Sequence, residues 1–284
     1  MTITQSILLG VVQGLTEFLP ISSSGHLVII PYLLGWDIPA SVEFTFDVLV
    51  QVATLVAVFA FFWNDLSAIA CSFVLGIVHK KPFADPLSRQ GWFIVLATLP
   101  AGIIGLVLRK PVQQAFNSAF VTAGFLFLTA VLLLFAEKAG RRNRCLESMT
   151  WKDALWIGFF QAIAIFPGVS RSGATIVGGM TRDLQRPAAA RFSFLISIPI
   201  MLAAGLITIV DLLRLPNLSP VLPSYIPGFI TAAIVGYLAI RWLLAYLTRH
   251  PLYVFAFYCA LLGLFVISIN SFGQVINKIA SSLY

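Results

Sequence analysis

Long apolar runs limit what this chain can fold into. Residues 44–62, 118–136 and 252–270 are each about long enough to cross the roughly 30 Å hydrocarbon core of a bilayer as a helix. Runs at 92–108, 188–212 and 225–246 bring the expected full spans to six. Only 10% of the 284 residues are charged, against about 25% in an average soluble domain. The sequence therefore predicts an all-α polytopic membrane protein.

Two further apolar stretches, 5–34 and 154–180, are each interrupted by a polar patch. The first patch runs from Pro20 to His26 and the second from Pro167 to Gly173. Each arm has only about 10 to 15 residues, too few to cross the hydrocarbon core at about 1.5 Å per residue. We therefore expect two re-entrant helical hairpins with enclosed tips, because irregular backbone inside a membrane must be shielded from lipid.

The two hairpins match when the sequence is shifted by 148 residues. The paired positions are Gly10 with Gly158, Gln13 with Gln161, Phe18 with Phe166, Ser22 with Ser170, Ser24 with Ser172, Gly25 with Gly173, Phe44 with Phe192 and Phe46 with Phe194. Three full spans separate the hairpins, so the two copies must have opposite topology. The prediction is one membrane domain over residues 1–284, with inverted repeats at about 1–136 and 149–270 and a site near the midplane at their interface.

Basic residues in the loops indicate the orientation. Twelve Lys and Arg collect on one side of the predicted spans and four on the other. With the twelve in the cytoplasm, both termini and the first hairpin lie on the outer side. The net charge of +7 thus reflects the loops, and no nucleic-acid partner is expected. The three cysteines are scattered and predict neither a disulfide framework nor a metal cluster.

Ionisable side chains at membrane depth are costly and usually functional. The candidates are Glu17, His26 and Arg171 in the hairpins, and Asp47, Asp211 and Arg241 near the ends of spans. Asp211 and Arg241 are expected to reach the membrane interface. For the hairpin residues, the alternative to a functional site is a buried ion pair that holds the hairpins together.

The first hairpin has a recognisable local order. Gln13 and Glu17 are four residues apart, on one helical face, and the proline that follows should end that helix. We expect a second short helix to begin with Ser23 or Ser24 as its N-cap and with His26 in its first turn.

The second hairpin repeats this order. Ser170 or Ser172 is expected to cap its second arm, with Thr175 in the first turn. Two helix N-termini beside Arg171 would form an anion site, and an arginine fork suits phosphate. Capping explains one or two of the hydroxyl residues but not all six, which are Ser22, Ser23, Ser24, Ser170, Ser172 and Thr175.

Such a site has the groups needed to break a pyrophosphate. Arg171 and backbone amides can neutralise charge, Ser23 can attack, and His26 can take or give the proton. His26 itself or a water is the alternative nucleophile. Glu17 beside an anion has to be protonated, to balance His26, or to bind a divalent cation, and the sequence leaves these alternatives open.

Residues Gln13 to His26 and Pro167 to Thr175 resemble the two signature motifs of the bacterial undecaprenyl-diphosphatase, or bacitracin-resistance, family. The resemblance covers essentially the whole chain. It implies hydrolysis of undecaprenyl diphosphate to undecaprenyl phosphate and inorganic phosphate on the outer face of the bacterial inner membrane. That reaction would recycle the carrier lipid for peptidoglycan synthesis and confer bacitracin resistance.

The resemblance also implies roles for particular residues. Ser23, His26, Glu17 and Arg171 would serve catalysis or phosphate binding. Gln13, Ser22, Ser24, Gly25, Ser170, Ser172 and Thr175 complete the expected substrate-binding set. Members of the family resemble one another in forming homodimers and in needing magnesium or calcium, for which Glu17 is the candidate ligand; no organic cofactor is expected. The family often has glutamate where this chain has Gln13, so a second carboxylate is missing here.

A different class of protein offers the main alternative. Secondary transporters are also built from inverted repeats with broken hairpins. A carrier of lipid phosphates or anions would use the same cradle without a nucleophile, so Ser23 close to His26 would distinguish the enzyme. A purely structural subunit would leave the polar hairpin tips unexplained.

Overall fold

The computed structural model describes residues 1–116, 118–213 and 222–282, and it is helical with no strand in that part of the chain. The α-helices are α1 (Ile3–Phe18), α2 (Ser23–Leu34), α3 (Ala40–Val78), α4 (Pro86–Val107), α5 (Arg109–Phe116), α6 (Ala119–Ala139), α7 (Trp151–Ile163), α8 (Arg171–Met180), α9 (Arg186–Leu213), α10 (Leu222–Leu247) and α11 (Tyr253–Ser282). A short 3-10 helix at Leu146–Ser148 precedes α7.

Within the described residues, six helices are long and apolar enough to cross a membrane, namely α3, α4, α6, α9, α10 and α11. The prediction of an all-α polytopic membrane protein with six full spans is thereby confirmed. Most spans agree with their predicted bounds to within a few residues, and the short α5 was not predicted.

The largest difference concerns α3, which was predicted to span 44–62. The helix continues to Val78, across a break at Phe62 where φ is −102° and ψ is 18°. Asn64 and Asp65 end the apolar run there, but polar residues do not end a helix. Similarly, α11 continues to Ser282, beyond the predicted end at residue 270.

The two interrupted stretches form pairs of short helices. The helices α1, α2, α7 and α8 contain 16, 12, 13 and 10 residues. At about 1.5 Å per residue, each is shorter than the hydrocarbon core. Their placement as re-entrant hairpins stays a prediction.

The cap of α2 corrects a prediction. Ser22 is the N-cap, not Ser23 or Ser24, and its Oγ accepts a hydrogen bond of 3.3 Å from the N–H of Gly25. The reason lies in the backbone: Ser22 has φ 70°, so the chain turns one residue earlier than the pattern predicted. In the second pair Ser170 is the cap, one of the two predicted alternatives, and accepts from Gly173 N–H at 3.0 Å.

The first helix of each predicted repeat packs against a span of the other repeat. The helix α1 packs against α10, and its counterpart α7 packs against α4. Both contacts depend on glycine: a Cβ on Gly10 would overlap the backbone of Gly228, and one on Gly158 would lie 2.6 Å from the carbonyl oxygen of Ala97. This arrangement favours the inverted repeat, which stays a prediction.

A buried glutamate ties together helix ends on the side that carries many basic loops. Glu137, whose side chain is 1% exposed, accepts hydrogen bonds from Arg142, from Arg186 and from the backbone N–H of Leu252. The end of α6 is thereby joined to the start of α9 and to the turn before α11.

A second buried carboxylate lies at the start of α7. Asp153 accepts from Arg144 at 2.8 Å, from Arg182 at 2.7 Å and from Thr150. Burial acts to raise the pKa of Asp153, but the two arginines and Thr150 outweigh it and lower the pKa to about 2. The loop before α7 and the turn before α9 are thus held to one carboxylate.

Several predicted positions lie outside the described residues or side chains, namely Phe44, Arg109, Asp211, Arg214 and Lys278. Arg241 is exposed and Asp47 is half-buried. The depth of these residues in the membrane and the sidedness of the chain stay predictions.

Candidate active site

The two hairpin tips pack directly against each other. Ser172 Oγ in the second tip donates to the carbonyl oxygen of Leu19 in the first at 3.1 Å. A Cβ on Gly25 would lie 3.3 Å from the Cα of Gly168, so the two backbones approach closely. The N-termini of α2 and α8 therefore lie together in one site.

A threonine on α6 fixes the second tip. Thr129 Oγ1 donates to the carbonyl oxygen of Gly168 and accepts from the N–H of Ser170, both at 3.0 Å. Gly168 has φ 94°, a left-handed conformation that suits glycine, and the carbonyl of Thr122 occupies the place of its missing Cβ. The tip is thus held by a span with no signature motif.

Glu17 is the centre of the polar contacts. One carboxylate oxygen, Oε2, accepts from Ser23 Oγ at 2.6 Å and from Gln13 Nε2 at 2.9 Å. The other, Oε1, accepts from Arg171 Nη2 at 2.6 Å. The Glu17 side chain is only 7% exposed. The ion pair that joins the two hairpins, considered above as an alternative to function, is therefore present.

One nitrogen of Arg171 remains available as a hydrogen-bond donor. Its Nη2 faces Glu17 and lies 3.6 Å from Met201 Sδ, whereas Nη1 is buried and has no hydrogen-bond partner among the described residues. A buried guanidinium N–H without a partner is costly, so it points to a ligand that accepts the bond.

A cavity of about 270 Å³ opens beside this pair. Its polar wall carries the carboxylate, the guanidinium and the hydroxyls of both tips, from Glu17, Ser22, Ser23, Ser24, Ser170 and Arg171. The rest of the lining is mainly apolar and includes Ile165, Val169, Ile200, Met201 and Ala204. The cavity thus combines charged and hydroxyl groups with an apolar surface.

His26 is placed differently from the prediction. Its Nδ1 lies 2.7 Å from the carbonyl oxygen of Ser22, and its Nε2 lies 2.7 Å from the hydroxyl of Tyr258 on α11. Both ring nitrogens are therefore engaged away from Ser23. The expected Ser23–His26 pair is not formed in this structure, because the turn at Ser22 directs Ser23 to Glu17.

Other predicted residues form hydrogen bonds within and around the site. The hydroxyls of Ser22 and Ser24 are 3.3 Å apart, and those of Ser170 and Ser172 are 3.2 Å apart. Thr175 is fully buried; its hydroxyl donates to the carbonyl of Arg171 at 2.8 Å and lies 2.6 Å from Ser193 Oγ. Thr175 thus stabilises α8, although the sequence had suggested phosphate binding.

Sequence reasoning missed several residues of the site. Gln51 and Gln161 line the cavity, and Gln161 Oε1 is buried with no partner among the described residues. Gln161 was noticed only as the repeat partner of Gln13. Thr129, Gln51 and Tyr258 lie on apolar spans, where no motif marked them.

The arrangement fits a resident divalent cation poorly. Both oxygens of Glu17 already accept hydrogen bonds, and the positive charge of Arg171 is 2.6 Å away. The described residues contain no cluster of three or more His, Cys, Asp or Glu side chains that could hold a metal ion. Gln13 Oε1, buried and without a partner in the same part of the chain, is one neutral oxygen.

Fold and cavity together define the class of protein. Among the described residues, six apolar spans pack with two pairs of short helices, which present an arginine Nη1 without a partner in that part of the chain and a serine bonded to a carboxylate. This is an integral membrane protein whose cavity carries groups suited to binding an anion and to hydrolysis.

Comparison with known proteins agrees with this class. The sequence model of the bacitracin resistance protein BacA family matches residues 6–265. Undecaprenyl-diphosphatases of Chloroherpeton thalassium and Chlorobium phaeovibrioides are 40% and 39% identical, each over 97% of this chain and 99% and 100% of their own. The one of Myxococcus xanthus is 38% identical over 97% of this chain and 91% of its own. The chain belongs to the bacitracin resistance protein BacA family and is a membrane phosphatase, so the family predicted from its motifs is confirmed.

Proposed function

We propose that this protein hydrolyses undecaprenyl diphosphate to undecaprenyl phosphate and inorganic phosphate. The names of its relatives support the substrate. The observation that carries the proposal is the buried Nη1 of Arg171, which has no partner among the described residues and belongs to a cavity that also holds Ser23 and Glu17. An anion with several acceptor oxygens, such as a phosphate, satisfies that nitrogen with charge-assisted hydrogen bonds.

The positive charge of Arg171 balances the negative charge of Glu17, so the carboxylate does not exclude a diphosphate. The sequence left the charge of Glu17 open, because a carboxylate repels an anion. In the structure its charge is balanced by Arg171 and its oxygens accept from Ser23 and Gln13. The first-turn N–H groups of α2 and α8 add positive potential from the helix ends. The apolar wall with Ile200, Met201 and Ala204 suits the first prenyl units of a lipid.

Ser23 is the proposed nucleophile, with Glu17 as its base. Glu17 takes the Ser23 proton while Oγ bonds to the terminal phosphorus. The bond from that phosphorus to the bridging oxygen breaks, and undecaprenyl phosphate leaves with the proton that Glu17 returns. A water then attacks the phosphoserine, loses a proton to Glu17 and releases phosphate, and the proton returns to Ser23. His26 holds the turn instead, since both its nitrogens are engaged elsewhere.

In this proposal a divalent cation enters the site only when it is bound to the substrate. Magnesium commonly binds through substrate phosphates and few protein oxygens. Because Glu17 is already paired, we expect magnesium or calcium to arrive on the diphosphate, and none of the steps above passes through it.

The proposal also includes the location and the partners. The basic loops favour an inner-membrane protein whose cavity opens to the outer face, where the reaction would recycle the carrier lipid for peptidoglycan and confer bacitracin resistance. A homodimer is also expected, and the mass of the purified protein in detergent tests it.

Phosphate release from undecaprenyl diphosphate by the purified protein tests the reaction. Ser23→Ala should lower turnover at least about a hundredfold, the usual scale for a positioned reacting group. Ser67→Ala, which removes an exposed hydroxyl of α3 that donates to the carbonyl oxygen of Asn64, is the control and should retain wild-type activity. A wild-type protein that binds the lipid without releasing phosphate would contradict the proposal and favour a carrier. An active Ser23→Ala protein would leave hydrolysis standing but assign the attack to a water.

A further inference from the structure

The imidazole of His26 has a hydrogen-bond partner at each ring nitrogen, and one of the two partners, Tyr258, has no role in the mechanism above. Ser22 contributes a carbonyl oxygen to Nδ1, and Tyr258 contributes a hydroxyl to Nε2, each at 2.7 Å. The His26 and Tyr258 rings are nearly parallel, with 4° between their planes and 5.6 Å between centroids. His26 is 4% exposed, so its ring has little freedom.

Hydrogen-bond chemistry fixes the proton positions. A carbonyl oxygen can only accept, so Nδ1 must carry the hydrogen in the bond to Ser22. In a neutral imidazole Nε2 is then an acceptor, and the Tyr258 hydroxyl must donate to it. The Ser22 carbonyl therefore fixes the tautomer, and the Tyr258 hydroxyl, which can donate or accept, donates to Nε2 and holds the ring in that orientation.

The Ser22 carbonyl belongs to a strained turn. Ser22 has φ 70° and ψ 96°, which a non-glycine residue adopts only when its surroundings hold it there. Its carbonyl oxygen accepts both from His26 Nδ1 and from the His26 backbone N–H at 3.2 Å. The next residue is Ser23, whose hydroxyl donates to Glu17.

We infer that Tyr258 is a positioning residue, which donates to Nε2 of His26 and so holds the imidazole where its Nδ1–H supports the Ser22 turn and keeps Ser23 on Glu17. Its neighbour Cys259 packs on the same tip, with Sγ 3.8 Å from the carbonyl oxygen of Pro20. The helix α11 therefore serves as more than a span. This inference deepens the proposed function and depends on it for its kinetic consequences only.

The kinetic experiment removes one hydroxyl. Tyr258→Phe keeps the ring, which is 42% exposed, and so leaves no cavity. We expect kcat to fall about tenfold with little change in KM, in line with the loss of one hydrogen bond at a restrained group. Tyr253→Phe, on the same helix and 37% exposed, is the matched control and should behave as wild type.

A double variant separates positioning from general stability. If Tyr258 acts through His26, Tyr258→Phe should cause no further loss in a His26→Ala background. Losses that multiply would overturn the inference.

A spectroscopic experiment decides the tautomer without using activity. The chain has only three histidines, and the His26→Ala variant identifies the signal of His26. At pH 8 the imidazole 15N shifts should show the Nδ1–H tautomer in both proteins, and the Nε2 signal should move in Tyr258→Phe, which lacks the hydroxyl that donates to it. The Nε2–H tautomer in wild type, or no change in Tyr258→Phe, would overturn the inference. A wild-type protein with the expected spectrum but no phosphate release would contradict the proposed function and leave the assignment of Tyr258 standing.

Discussion

Replacing Arg171 by methionine should both destabilise the protein and abolish phosphate release. The variant keeps much of the side-chain volume, but it leaves the carboxylate of Glu17 without the guanidinium 2.6 Å away. Ser23 and Gln13 still donate to Glu17, yet neither carries a charge. A largely buried carboxylate would then remain uncompensated.

The degree of burial sets the magnitude. Removing one partner of a buried ion pair costs about 3 to 5 kcal/mol. The side chains of Arg171 and Glu17 are 15% and 7% exposed and face a cavity, so we expect about 3 kcal/mol. Removing both charges, as in Glu17→Gln with Arg171→Met, should restore most of that stability, because no unpaired charge remains. The double variant should still be inactive, since it lacks the phosphate fork and the base.

A second ion pair provides the control. Arg191 pairs with Asp65, and both side chains are 43% exposed. Arg191→Met should cost at most about 1 kcal/mol, because solvent screens that pair. Denaturation midpoints in detergent and phosphate release are to be measured on all variants. An Arg171→Met protein as stable as wild type would refute the electrostatic argument. A double variant that regains turnover would show that the pair only joins the hairpins.

Four further predictions concern the phosphate site, stability at low pH, cation dependence and the orientation of the chain. Arg171→Lys should recover little activity, because an ammonium does not form two parallel bonds to a phosphate; near wild-type turnover would make the arginine a tether. Asp153 has a folded-state pKa of about 2 against 3.8, so its contribution of about 2 kcal/mol is complete above about pH 4 and lost as the pH falls through 2. Acid unfolding of Asp153→Asn should lack that part of the loss. Gln13→Glu should remain active and increase the dependence on a divalent cation, whereas inactivity would mean that the site holds no second negative charge. A cysteine added after Tyr284 should react with an impermeant reagent from outside, and labelling only from the cytoplasm would reverse the orientation.

The sequence predicts the spans well because one physical quantity, apolar length, decides them. It fails where a second quantity intervenes. The helix α3 passes through Asn64 and Asp65, since hydropathy measures lipid solubility and not helix continuity. In the site, the motif places Ser23 three residues from His26 and so suggests a pair. The backbone at Ser22 overrides that closeness, and a φ of 70° cannot be read from a serine.

The sequence also does not show which residues far apart in the chain lie in contact. Glu17 and Arg171 were both assigned to the site, but their pairing was considered only as an alternative to function, whereas the structure shows the pair and a cavity beside it. Tyr258 is one aromatic residue in an apolar span, and its hydroxyl gains meaning only when α11 lies on the first hairpin tip.

The contact between α1 and α10 governs the order in which the protein can be assembled. Ser6 and Gly10 of α1 meet Gly228 of α10, with a hydrogen bond of 3.0 Å from the Gly228 N–H to Ser6 Oγ. About 200 residues separate the two helices, and at roughly 5 to 20 residues per second their synthesis takes about 10 to 40 s. Arg171 follows Glu17 after 154 residues, and α10 is made later still. The first helix of the nascent chain is therefore made well before Arg171, which pairs with Glu17, and before α10, which packs against it.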